Sequence, residues 1–360
     1  MLVTLSLSQA PRAEADIYWS NFESIGRAEA DGSKVDQSFI SAPEFTPGGL
    51  ATDGDYLYWS DFSTQTIGRA NRDGSAVAPS FIAAGNPEDV VVGGAHLYWT
   101  NGHPFNAIGR ANLDGTGVDQ SFIAPVDFPC GLAVDSAHVY WNNDPLSSDA
   151  VTRANLDGSG VDPSFITGTD AGCGITVDDA HVYWGNGGAE TIGRANLDGS
   201  GVTQRFIDPA EGVCGQIAVD GAHVYWANAG DDAIGRANLD GSAANQSFID
   251  GADFPCDVAV DAAPFSFGKL KRNRKKGTAK LPVNLPGAGE VELDKTRKLK
   301  GASKQAEAEG SVKLPVKPKG NAKRKLSRRG KATVKAEVTF TPEGGDPETL
   351  TKRLKLLKRR

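Results

Sequence analysis

The sequence is short of most residues that announce a chemistry. One Met, four Cys and five His are spread over 360 residues, and the Cys recur at the spacing of a repeat, which does not match a compact disulfide framework. No nucleophile elbow and no zinc-binding motif is present. No apolar run approaches the roughly 20 residues that span a bilayer, so no transmembrane helix is expected. The opening stretch MLVTLSLSQAPRAEAD has no basic residue ahead of Leu2, and residues 1–15 read as a poor signal peptide or the stub of one.

Two further absences divide the chain. All six Trp and all seven Tyr precede residue 227. Basic residues are scarce over the same part: residues 1–262 hold 10 Lys and Arg against 36 Asp and Glu, a balance of −26, whereas residues 263–360 hold 28 against 9, a balance of +19. A chain charged this way has a domain boundary near Ala262, with salt-sensitive attraction between its parts or toward oppositely charged partners.

What is abundant is repetition. Trp19, Trp59, Trp99, Trp141, Trp184 and Trp226 stand in one column at spacings of 40, 40, 42, 43 and 42 residues. Four short strands fill a period of about 40–45 residues, and frequent Gly argues against helices. Within one repeat, CGLAVD is a short run suited to burial on both faces, HVYW and AVTRAN follow, and an Asp157-Gly158 hairpin leads to VDPSFI. The three-strand YW…DG…FI unit occurs six times from about Ile17. The preceding inner strand is missing from the first unit and occurs once after the last, at Cys256–Asp261. Pairing of the two chain regions closes a ring of six blades without an open sheet edge. The expected fold is therefore all-β: a six-bladed β-propeller over residues 16–262, closed by its N- and C-terminal strands.

The columns YWSN, YWSD, YWTN, YWNN, YWGN and YWAN, each followed about ten residues later by an IGRANLDG-like phrase, resemble the YWTD repeats of the LDL-receptor class B family. The resemblance covers residues 16–262 and implies a six-bladed propeller that serves as an extracellular binding scaffold without catalysis. The final acid of the family motif stands here only at Asp61. Asn21, Asn101, Asn143, Asn186 and Asn228 take its place, keeping hydrogen bonds but not charge.

Residues 263–360 change to a period of two, as in TAKLPVNL and KATVKAEVTF, with apolar residues on one face and Lys prominent on the other. About seven strands separated by Gly turns, with KRLKLLKRR as the last, predict a basic Ig-like β-sandwich. It is similar to the basic C-terminal sandwiches of secreted bacterial repeat proteins. Without Trp or Tyr it lacks the stacking platform of a single-strand binder, so no sequence-specific nucleic acid is expected. Its Lys rows read as a solvated face or as attachment to a cell-envelope polyanion.

Residues common to all repeats read as scaffold, since a reaction site needs unlike groups. That covers the Trp column and Arg27, Arg69, Arg110, Arg153, Arg194 and Arg236, expected to bond neighbouring carbonyls or carboxylates between blades. His96, His138, His181 and His223 lie about 15–20 Å along the inner strand from Cys130, Cys173, Cys214 and Cys256, too far for a shared zinc. The Cys column leaves three readings open: small residues in a tight hub, disulfides between adjacent blades such as Cys130 with Cys173, or a thiolate metal site.

Acids border the Cys. Glu44, Glu88, Asp127, Asp170, Glu211 and Asp253 precede or begin the inner strands and are expected to gather at one channel mouth, drawing a cation such as calcium or a basic partner. The irregular loop NGHPFNA offers His103 and Phe105 as a docking anchor. No set of Asp or Asn from different blades stands apart from the columns. These features favour a secreted or envelope-associated, non-enzymatic module binding an extracellular protein or glycan, with no required cofactor. The alternative is a calcium-dependent hydrolase or lactonase of the six-bladed type.

Overall fold

A computed structural model describes residues 16–41, 46–143, 149–170, 172–210, 215–261, 266–267, 270–285, 289–307, 310–342 and 348–359. Ala15–Asp261 forms one compact unit, and the described residues from Ser266 onward belong to another.

Among its described residues the first unit holds six four-stranded antiparallel sheets. Sheet 2 shows the plan: Pro47–Thr52, Tyr56–Asp61, Thr66–Asn71 and Ala78–Ala83 pair in chain order. Sheets 3 to 6 repeat it from first strands at Pro87–Gly93, Pro129–Val134, Ile175–Val177 and Ile217–Val219. Sheet 1 is assembled from both ends of the unit. Its strands Asp16–Ser20, Ser24–Glu29 and Asp36–Ser41 take Val258–Val260 as their first strand, with Ile17 opposite Val260 and Trp19 opposite Val258. Successive first strands pack on one another, and Val258–Val260 packs on Pro47–Thr52, completing the cycle.

The motif residues explain the packing. Trp19, Trp59, Trp99, Trp184 and Trp226 each stand opposite a third-strand glycine, Gly26, Gly68, Gly109, Gly193 and Gly235. A Cβ at any of these would overlap the indole, which is why the third strand reads IGRAN. The indoles are completely or almost completely buried, and each shares an apolar cluster with a Tyr of the preceding sheet: Trp59 with Tyr18, Trp99 with Tyr58, Trp184 with Tyr140 and, across the junction of the last and first sheets, Trp19 with Tyr225. The cores therefore lie between sheets and belong to no single one.

The second unit has two four-stranded sheets. Thr278–Leu285 pairs with Ser266–Phe267, Lys271–Asn273 and Gly310–Val316; Ala302–Ala306, Gly289–Leu293, Lys331–Pro342 and Glu348–Leu357 form the other in that order. Alternation fixes its core, with Ala279, Leu281, Val283 and Leu285 buried from one sheet and Val334, Ala336, Val338, Phe340, Leu354 and Leu356 from the other. The tail KRLKLLKRR is largely strand, paired along Lys331–Pro342.

Sequence reading missed one element here, the helix Gly320–Arg329. Only two of its ten residues, Ala322 and Leu326, are buried, so its apolar signal is a single i,i+4 pair. Gly330 ends it at φ 68°, donating its N–H to the Leu326 carbonyl.

Candidate functional site

The residue immediately before the first apolar residue of each inner strand is Gly49, Asp89, Gly131, Gly174, Gln216 or Asp257. Half of this column is glycine because backbones crowd here: a Cβ on Gly131 would overlap the Cys173 carbonyl, and one on Gly49 would overlap Asp89. The other half is polar and serves the glycine-bearing strands. Asp89 accepts the Leu132 N–H at 2.7 Å, Gln216 accepts the Ile175 N–H at 3.0 Å, and Asp257 accepts the Leu50 N–H. Asp89 and Asp257 also accept the N–H of the residue that follows each, at 2.7 and 2.5 Å. Gln216 donates its side-chain amide to Asp89, joining sheets 3 and 6.

Both carboxyls are pushed well above the usual carboxylate range. Burial is the main cause for each, opposed by the amide donors, and the charge of Asp89 lifts Asp257 further. This corrects the expectation that no acid set from different repeats stands apart. The signal was present in the sequence, as a column shared by three Gly, two Asp and one Gln, but it sits beside the more conspicuous Cys.

The acids expected at the channel mouth are placed otherwise. Glu44 and Glu211 lie outside the described residues. Glu88, Asp127, Asp170 and Asp253 are exposed, and none of them lines the central cavity. Among the described residues, no three His, Cys, Asp or Glu side chains come together in a way that could hold a metal ion.

The same end of the sheets carries aromatic side chains. Because each inner strand runs antiparallel to its neighbour, the segments leading into inner strands and the loops leaving second strands share one face; Pro129, for example, stands opposite Asn143. On it Phe22, Phe62, Phe105, Phe128 and Phe254 are all exposed, from 41% to 62%. Phe105 belongs to the predicted anchor loop. His103, its companion, stacks on Phe128 with ring centroids 5.9 Å apart. Phe128 and Phe254 come from two copies of DFPC and hold left-handed backbones, φ 41° and 49°. A bulky residue in that region is strained by about 1–3 kcal/mol, and such strain is concentrated at functional surfaces.

The repeat columns have defined partners. Arg27, Arg69, Arg110, Arg153, Arg194 and Arg236 lie over the Phe of their own sheet at 3.5–5.0 Å from the ring centroid. Arg69, Arg153, Arg194 and Arg236 also donate to a backbone carbonyl of the next sheet, for instance Arg153 to Leu197 at 3.1 Å. The His138, His181 and His223 rings meet the edge of a Tyr two residues on. Asn stands after the YW strand where a donor is needed: Asn21, Asn101 and Asn186 give their amide N–H to the Gln37, Gln120 and Gln204 carbonyls at 2.6–2.8 Å. Of the three readings left open for the Cys column, Cys130 and Cys173 take the disulfide, with Cα atoms 5.3 Å apart. Cys214 lies outside the described residues.

One position carries a charge unlike its column. Where the third to sixth repeats have RANLDG and the first has RAEADG, the second has RANRDG, and Arg72 lies between two buried carboxylates of sheet 1, Asp16 at 2.8 Å and Asp261. Arg27 reaches Asp16 at 2.9 Å, and Thr52 donates to Asp261 at 2.7 Å.

No protein-family model and no curated protein matches the chain. Solved structures do. The chain is similar to a chain of a nidogen/laminin complex, at 17% identity over 68% of this chain and 98% of that one, with a TM-score of 0.55. It is also similar to virginiamycin B lyase from Staphylococcus aureus, at 15% identity over 72% and 84%, with a TM-score of 0.44. The first likeness shows the fold of the repeat unit, a β-propeller.

Proposed function

We propose that the repeat unit is a six-bladed propeller acting as a non-enzymatic, secreted or envelope-associated scaffold whose phenylalanine-bearing face docks an extracellular protein or glycan. The observation that carries this reading is the group of exposed Phe side chains on one face, two of them held in strained backbone. Aromatic anchors ringed by polar groups are the usual core of a docking surface, and here Asp127 and Asp253 directly precede two of them. The six sheets, their cyclic packing and the junction at Val258–Val260 support the blade count. The second unit reads as a basic Ig-like sandwich that adds attachment to an envelope polyanion.

The test is a cross-linking pull-down from envelope and culture fractions with the full chain and with Phe105→Ser/Phe128→Ser/Phe254→Ser. These side chains are exposed, so the triple variant is expected to fold like the parent and to lose its partner. A partner retained in full by the folded variant would remove this face from the function.

A further inference from the structure

We infer that the hub of the propeller is a binding well for a primary ammonium group on a short apolar stem. All six first strands line a single cavity of about 190 Å³. Asp89, Gln216 and Asp257 lie at one end of it, exposed by only 2%, 8% and 2%. Most side chains along its walls are apolar, with Thr52, Thr176 and strand backbone adding polar surface, and exposure rises along them: Val258 is buried, whereas Val92, Val134, Val177, Val219 and Val260 are half-buried. The cavity is thus a well that opens at the ends of the inner strands, away from the phenylalanine face. From Asp257 to Val260 it is about 10 Å deep at the rise of a strand.

The chemistry of the well is unbalanced. Among the described residues no Lys, Arg or His lines it, so its two carboxyls face it without a counter-charge there, and the exposed Glu88 adds only further negative charge. The backbone amides that reach Asp89 and Asp257 satisfy oxygen lone pairs but do not neutralise an ion. Two buried carboxyls in this situation keep protons unless a cation takes their place.

A primary ammonium carries three donors on a compact charge, and three polar side chains converge on the floor. The Leu, Ile and Val side chains of the walls suit a hydrocarbon stem. At about 190 Å³ the well is smaller than the roughly 300–1,000 Å³ of drug-sized sites, which restricts it to a small amine or a single lysine side chain. A metal ion is the less suitable occupant, because no three metal-ligating side chains gather among the described residues. On binding, the ammonium arrives protonated and a carboxyl releases its proton to solvent, so near neutral pH each amine bound displaces up to one proton. The inference is independent of the docking face.

The probe is pentylamine against the full chain, followed by calorimetry in buffers of different ionisation enthalpy, with pentanol and calcium chloride in parallel. Pentylamine is expected to bind with proton release, and pentanol at least about tenfold more weakly, the equivalent of about 1.4 kcal/mol. Asp89→Asn and Asp257→Asn should abolish the proton release. Should either fail to fold, Val219→Phe narrows the well without touching the acids and should block the amine. A lysine peptide compared with its norleucine analogue separates the sources: binding of the lysine peptide identifies a partner's side chain, and its failure alongside pentylamine binding identifies a free amine. Equal binding of pentylamine and pentanol, calcium binding without amine binding, or unchanged amine binding by the folded variants would overturn the assignment.

Discussion

Replacing Arg72 by Leu would make the second repeat match four of the others, whose RANLDG phrases have Leu at that position. Changes toward a repeat's own consensus usually stabilise, yet here the opposite is expected. Arg72 is the cation between Asp16 and Asp261, exposed by only 1% and 3%. Leu would leave Asp261 without its guanidinium and leave Asp16 with Arg27 alone. Breaking a buried ion pair from one side costs about 3–5 kcal/mol, because the remaining charge stays desolvated. For a unit of this size each kcal/mol moves the midpoint by about 2–4 °C, so Arg72→Leu should lower the melting temperature by about 6–20 °C. Pairing it with Asp261→Asn should recover part of the loss, since the stranded charge is removed. The assay is thermal and urea unfolding of the parent, both single variants and the double variant as a cycle. A melting temperature for Arg72→Leu at or above the parent's would refute the reasoning.

Other outcomes follow from the same contacts. Asp89 holds a proton in the fold, with its carboxyl pushed up to about 8, that the unfolded chain gives up above about pH 4, so stability should fall as pH rises from about 5 to 8, with a slope up to about 1.4 kcal/mol per pH unit; Asp257, also shifted upward, acts in the same direction, and urea midpoints across that range should flatten in Asp89→Asn. The turn acids Asp73, Asp114, Asp157, Asp198 and Asp240 are shifted downward by hydroxyl hydrogen bonds, so their contribution has the opposite sign, being lost only in more acidic solution. Phe128→Gly relieves a left-handed backbone and should raise stability by up to about 1 kcal/mol while weakening partner binding, and unfolding curves that show a loss would mean the phenyl ring is part of the core. Gly193→Ala drives a methyl into the Trp184 indole and should cost about 1–3 kcal/mol, measurable as a lower urea midpoint than for an alanine placed in an exposed strand.

The repeat architecture was largely legible because its signals are local and occur many times: each Asp-Gly turn, each YW strand and the extra strand at residues 256–261 point the same way. The candidate site was less legible, since it depends on residues far apart in the chain. Asp89, Gln216 and Asp257 are ordinary as single residues and gain meaning only when the ring sets their strands side by side. The exposed Phe residues were partly visible: Phe105 stands out in an irregular loop, whereas Phe128 and Phe254 sit inside the twice-used DFPC phrase, whose Cys is the more conspicuous residue. The helix Gly320–Arg329 was hidden for a different reason: among its many basic residues the apolar face comes down to one i,i+4 pair, Ala322 and Leu326, too short a signal to set against the strand periodicity around it.

The sharing of every core between two sheets has a consequence for synthesis. A repeat leaving the ribosome has only half a core until its successor arrives, and sheet 1 has none of its first strand until residues 258–260 are made. Through most of translation the strand Asp16–Ser20 therefore presents an unpaired edge and an uncovered Trp19 to its surroundings. Closure joins residues about 240 apart, Ile17 with Val260 and Trp19 with Val258, which makes it a late and entropically demanding step. The protein is thus poorly suited to folding one repeat at a time, and its most aggregation-prone moment comes just before the last strand is delivered.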